Sequence, residues 1–139
     1  MFSIFNSKTK NRIGFEDIKI IINKSNQYIL INTLNVGEQD ILIKNTIYYN
    51  EEENIINTLI TNYNIPDKPI IIYGRNSCDI SVEKKYDQLI KLGLKEIYIY
   101  YGGLFEWLLL NELYGNEQFP LNGEHSKIDI LKYRPINIF

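Results

Sequence analysis

Two kinds of apolar run alternate along the chain. Short continuous runs occur at Tyr28-Ile29-Leu30-Ile31, Thr46-Ile47-Tyr48-Tyr49, Pro69-Ile70-Ile71-Ile72-Tyr73 and Ile97-Tyr98-Ile99-Tyr100. β-Branched runs of this length, bounded by turn formers, suit strands buried on both faces of a parallel sheet. Between them, apolar residues recur at helical spacing: Phe15, Ile18, Ile21 and Ile22; then Ile55, Ile56, Leu59, Ile60 and Tyr63; then Val82, Tyr86, Leu89 and Ile90; then Phe105, Leu108, Leu109 and Leu113. These predict helices over residues 14–23, 51–63, 81–92 and 104–113, each with the named residues facing inward. Shorter helices are expected at residues 38–42 and 126–131. Strands alternating with helices predict an α/β fold: one domain with a central parallel sheet of about five strands and helices on both faces.

The punctuation agrees with this reading. Glu51-Glu52-Glu53 fits the charged first turn of a helix better than a metal-binding cluster, because carboxylates interact well with the free N–H groups there. Lys84, Lys85, Asp87 and Lys91 form the expected water-facing side of the third long helix, and Gly93 ends it. Turn chemistry at residues 65–69 leads into the central strand. Gly102-Gly103 turns the chain after the last strand. Residues 1–12 read as a leader or an edge strand, 13–120 as the domain, and 121–139 as a C-terminal extension packing on it.

Gly74-Arg75-Asn76-Ser77-Cys78-Asp79 follows the central apolar run and has no residue suited to a core. It therefore lies where a buried parallel strand ends and a helix begins, the place where open α/β sheets bind ligands.

Composition changes the picture little. With 139 residues, 45% hydrophobic, and a net charge of −2, the chain can build one core and has no basic surface that would call for nucleic acid or an anionic membrane. It has 26 isoleucines, 17 asparagines and no alanine. That skew follows codon bias in an AT-rich genome, such as that of a large DNA virus or a low-GC microbe, since no structural constraint excludes alanine from helices. A lone cysteine excludes an intramolecular disulfide. No apolar run is long enough for a signal peptide or a membrane span. The expectation is a soluble intracellular protein, in the cytoplasm of a cell or host or as a virion component. His125 is the only histidine and lies in a polar tail, so no zinc cluster and no Ser/His/Asp order suggests itself, and no metal or cofactor is expected. The eleven tyrosines read as core and rim packing.

The order strand, loop, helix, glycine, strand, Gly-Gly-x-x-x-Trp resembles the second half of a rhodanese-like domain of the sulfurtransferase superfamily. The residues that carry the likeness are Ile70-Ile71-Ile72-Tyr73, Leu89, Gly93 and Gly102-Gly103-Leu104-Phe105-Glu106-Trp107. More loosely, residues 15–22, 28–33 and Ile47 resemble the family's first helix and its next two strands. The likeness covers roughly residues 13–120. It implies a thiolate at the first loop position that takes up a sulfane sulfur, held by a cradle of backbone N–H groups at a helix N-terminus. This chain departs there. Gly74 holds the first position and Cys78 stands four residues later. Asn32 and Thr33 replace the acidic–basic pair usual after the second strand. An arginine six residues after the cysteine, which the superfamily's phosphatases need, is also missing, since Lys84 stands there.

Two readings of Cys78 remain. In one, the chain is a non-catalytic module that binds a protein partner or a small anion at the loop, or plays a structural part. In the other, it is a sulfurtransferase or persulfide carrier with Cys78 as a displaced nucleophile acting on thiosulfate or another sulfane-sulfur donor. On either reading, Gly74, Arg75, Asn76, Ser77, Asp79, Ile80 and Ser81 form a candidate anion-binding loop, flanked by Gly102, Gly103 and Trp107.

Overall fold

Strand pairing follows the isoleucine runs. The computed structural model describes residues 10–24, 26–61, 68–123 and 128–136. In it β1 (Arg12–Ile13), β2 (Ile29–Asn32), β3 (Ile70–Tyr73) and β4 (Ile97–Tyr100) form one parallel sheet in the order β1-β4-β3-β2. Asn32, Tyr73 and Tyr100 pair across the sheet, so β2, β3 and β4 end level with one another. The loops that follow them open at the same edge.

The helices are α1 (Phe15–Ile22), α2 (Tyr49–Thr61), α3 (Ser81–Lys91) and α4 (Gly103–Tyr114). Alternation along each strand divides the core in two. Leu30, Ile71, Tyr73 and Tyr100 face α1 and α4, meeting Ile18, Ile22, Leu104, Trp107 and Leu108. Ile29, Ile31, Ile70, Ile72, Ile97 and Ile99 face α2 and α3, meeting Ile56, Val82 and Leu89. No helix among the described residues is long and apolar enough to cross a membrane.

Several expectations need correction. The run at residues 46–49 is not a strand, and the sheet has four strands rather than five. Asn45 takes a left-handed turn at φ 69°, and the chain then gives β2 a single rung, Ile47 N–H to Leu30 O at 2.9 Å. Thr46 turns inward to bond the buried Tyr73 hydroxyl at 2.7 Å, while Tyr49 already opens α2. The short helix expected at residues 38–42 is instead a 3-10 turn at Val36–Glu38, and the one expected at 126–131 is a 3-10 turn at Ile130–Tyr133. Leu109 and Leu113 are exposed, at 38% and 72%. Apolar residues surround α4 almost completely, so spacing alone did not single out the buried side, which is that of Leu104, Trp107 and Leu108. Ile90 lies beyond the buried stripe of α3 and is exposed. Lys85 does not simply face water, because its ammonium pairs with Glu52 of α2 at 2.6 Å. The leader's residues 1–9, the turn at 62–67, and His125 lie outside the described residues.

The sheet edge at β1 is short and polar. Asn11 holds β4 from both its backbone and its side chain: its carbonyl accepts from Ile99 N–H at 2.8 Å, and its amide donates to Ile97 O at 3.2 Å. Arg12 stacks on the Tyr101 ring at 4.3 Å, and Lys10 pairs with Asp87.

Two glycines bring α4 against the loop after β3. Gly103 has φ 69°, and a Cβ there would lie 2.9 Å from both Asn76 N and Gly74 O. The close approach lets Leu104 N–H reach Gly74 O and Phe105 N–H reach Arg75 O, each at 2.9 Å. One turn on, Trp107 is fully buried, edge-on to Phe119 (5.1 Å) and Tyr100 (6.4 Å), with its indole N–H on Pro120 O at 3.0 Å.

Trp107→Ala should therefore cost about 3–5 kcal/mol in chemical denaturation, since it removes a large buried aromatic and one of the two hydrogen bonds on Pro120 O, the other coming from Lys44 N–H. Gly103→Ala should cost about 1–2 kcal/mol for the left-handed backbone alone, and more as its Cβ pushes the loop backbone away. Unchanged denaturation midpoints would contradict either assignment. Burial also holds the Tyr73 and Tyr100 hydroxyls neutral by raising both pKa values, with Glu106 adding to the effect at Tyr100. A raised folded-state pKa contributes stability that is complete below the free tyrosine value of about 10 and is lost as pH climbs above it. Tyrosinate absorbance against pH should show these two rings ionising only as the fold is lost.

Candidate functional site

The loops at the level strand ends enclose a cleft of about 380 Å³. Its walls are the stretch after β2 (Thr33, Asn35), the loop after β3 (Arg75, Cys78, Asp79) and the C-terminal Arg134. The loop expected from sequence to be the site does line this cleft. Glu38, Arg134 and Ile136 join it from regions that local spacing did not connect to it.

The loop is built from two tight turns of the same kind. Asn76 Oδ1 accepts the N–H of Cys78, and Asp79 Oδ1 accepts the N–H of Ser81, each two residues on and each at 2.9 Å. Asn and Asp make such turns with their own short side chains. Asp79 goes further. Its Oδ2 accepts Arg75 N–H at 2.9 Å, and its Oδ1 also accepts the Ser81 hydroxyl at 2.6 Å. Ser81 Oγ lies 2.7 Å from Thr33 Oγ1, which ties the loop to the end of β2. An internal carboxylate thus takes backbone donors at the start of α3 that the sequence assigned to an external anion.

Gly74 sits directly behind that carboxylate. A Cβ at this position would lie 2.5 Å from Asp79 Oδ2 and 2.8 Å from Val82 Cγ1. Arg75 does not point its charge into the cradle. Its guanidinium pairs with Glu38, donates to Lys132 O, and lies 5.1 Å from the centre of the Tyr133 ring. The Asn76 amide donates to Tyr133 O at 2.8 Å and Arg134 O at 3.2 Å. Cys78 is free and exposed. Ser77 and Ile80 are both exposed, and Ile80 also lines the cleft.

Of the flanking residues, Gly103 touches the loop backbone and Gly102 precedes it against Glu106. Trp107 is inside the core rather than at the cleft. Burial pushes the Tyr133 hydroxyl pKa up. Tyr101, across the sheet end, is raised to about 12 by partial burial and by its bond to Glu83. Among the described residues no group of histidine, cysteine or acidic side chains is arranged to hold a metal ion.

Sequence reading missed Glu38 as the partner of Arg75 and Tyr133 as its stacking ring. The two short-range turns were available as signals, because Asn76-Ser77-Cys78 and Asp79-Ile80-Ser81 both place Asn or Asp two residues before the N–H it takes.

No family model and no curated protein sequence matches the chain. Solved structures do. The single-domain sulfurtransferase RDL2 of Saccharomyces cerevisiae shares 15% identity with a TM-score of 0.55, over 79% of this chain and 98% of that one. The Alr3790 protein from Anabaena sp. shares 14% with a TM-score of 0.57, over 87% and 98%. A full-length protein from Lactobacillus plantarum shares 16% with a TM-score of 0.53, over 81% and 88%. At these identities the likeness is one of fold, and the chain has the rhodanese-like α/β architecture, with its loop cleft at the ends of the parallel strands.

Proposed function

We propose that this chain is a non-catalytic rhodanese-like module whose loop cleft binds a protein partner or serves a structural role. The observation that carries this reading is Gly74. The resemblance expects a nucleophile at the first position after β3, and the Asp79 carboxylate already fills the space a side chain would need there. A sulfur nucleophile needs free N–H groups around it to stabilise its anion. Here the amides of Arg75, Cys78 and Ser81 are taken by Asp79 and Asn76. Arg75 is spent on Glu38. A small anion would have to displace the same carboxylate, which favours a larger partner over an ion.

A second reading draws on the exposure of Cys78 at the cleft. Its thiolate would attack the sulfane sulfur of thiosulfate, forming a persulfide and releasing sulfite, and would then pass the sulfur to an acceptor thiol or cyanide.

One experiment separates the two. The full chain and its Cys78→Ser variant are assayed for thiocyanate formation from thiosulfate and cyanide, with intact mass measured after polysulfide treatment. The expected result is background turnover in both proteins and no added sulfur. Turnover abolished by Cys78→Ser, or a one-sulfur mass gain at Cys78, would overturn the non-catalytic reading.

A further inference from the structure

We propose that residues 130–136 form a displaceable strap over the loop cleft, held shut by the side chains of Arg75 and Asn76 and able to open while the sheet stays folded. The proposal goes beyond the reading above and stands whether or not Cys78 takes up sulfur.

The strap's attachment is unlike that of the strands. Its own backbone bonds, Lys132 N–H to Asp129 O and Arg134 N–H to Leu131 O, are local and reach back only to the residue before the segment. It is fastened to the body by side chains of two adjacent loop residues: the Asn76 amide on Tyr133 O and Arg134 O, and the Arg75 guanidinium on Lys132 O. Few backbone bonds to the body and a small anchored area characterise segments that open independently of the global fold.

Its one fully buried anchor is the Tyr133 ring, which packs into the core facing α1 and α4, with Ile130 packed, partly buried, against the same core. That anchor carries a penalty. The Tyr133 hydroxyl is the only buried side-chain polar atom among the described residues with no hydrogen-bond partner. A buried unpaired hydroxyl opposes docking, and lifting the strap lets it hydrate. On either side of the anchor, Leu131 and Ile136 are exposed, at 62% and 78%.

Opening has a defined local consequence. Arg134 and Ile136 form one wall of the cleft, and that wall would go. The Asn76 amide would lose both of its carbonyl partners and Arg75 one of its own, while the Glu38 pair keeps the guanidinium beside the loop. The strap therefore governs how wide the cleft is and how many free donors it offers.

Asn76→Asp is the discriminating variant. It keeps the Oδ1 acceptor for Cys78 N–H and replaces the two amide donations with an oxygen facing two carbonyls. Tyr133→Phe is its counterpart, because it deletes the unpaired hydroxyl and keeps the ring. Hydrogen–deuterium exchange of the full chain is read at residues 130–136 and at β3 and β4. Asn76→Asp should speed exchange in the strap about tenfold or more while β3 and β4 stay unchanged, and Tyr133→Phe should slow the strap alone. Strap and strand amides exchanging together in the wild type would overturn the proposal. So would both variants shifting strap and strands alike, or neither variant moving the strap.

Discussion

The loop edge of this protein depends on one close approach between backbones. The first N–H groups of a helix have no partner inside it. Those of α4 are given to the carbonyls of Gly74 and Arg75 in the loop after β3, and a glycine at 103 makes the approach possible. The same helix buries Trp107 one turn later, between Tyr100 and Phe119. The loop is therefore not an ornament on the sheet. It is bonded to a helix whose other end of contact is the core, so its geometry is set by packing that lies well below the cleft.

Held in that way, the loop satisfies itself. Two short side chains, Asn76 and Asp79, take up amides that a catalytic loop of this architecture would reserve for a reacting group. The one nearby guanidinium is balanced by Glu38 rather than left to draw in an anion. Polar loops near the end of a buried strand must satisfy their backbone somehow. In this chain that need is met from within: the Cys78 N–H is taken by Asn76, while its thiol stays exposed. Electrostatic preorganisation for chemistry and internal satisfaction of the backbone draw on the same donors, and the amides of Arg75, Cys78 and Ser81 are bonded within the loop.

The sheet and its four helices were legible because isoleucine runs and helical spacing carry period information directly. Where that information was degenerate, the reading failed. The side of α4 that is buried could not be chosen, because Leu104, Phe105, Leu108, Leu109 and Leu113 make apolar stripes in every direction. Residues 46–49 have strand composition, yet a left-handed turn at Asn45 and the inward Thr46 hydroxyl end the pairing after one rung. The position of the candidate loop was legible from its place after β3. Its inner wiring was half so: the two Asn/Asp turns are local, whereas the bonds from Arg75 to Glu38 and from Asn76 to the C-terminal segment span 37 and 57 residues and leave no trace in spacing.

A chain this rich in isoleucine strands carries a hazard of its own. Segments such as Ile70-Ile71-Ile72-Tyr73 have the composition that stacks into cross-β assemblies when an edge is left open. β4 would be that edge if β1 were missing. Instead, β1 is two residues long, Asn11 occupies the neighbouring backbone groups with its carbonyl and its amide, and Lys10 and Arg12 stand guard with charge. A short, charged, side-chain-capped edge offers an incoming strand little to pair with. The short, polar segment at β1 thus acts as a gatekeeper on the β4 side of the sheet, while β2, the other edge, carries the single rung from Ile47 N–H to Leu30 O.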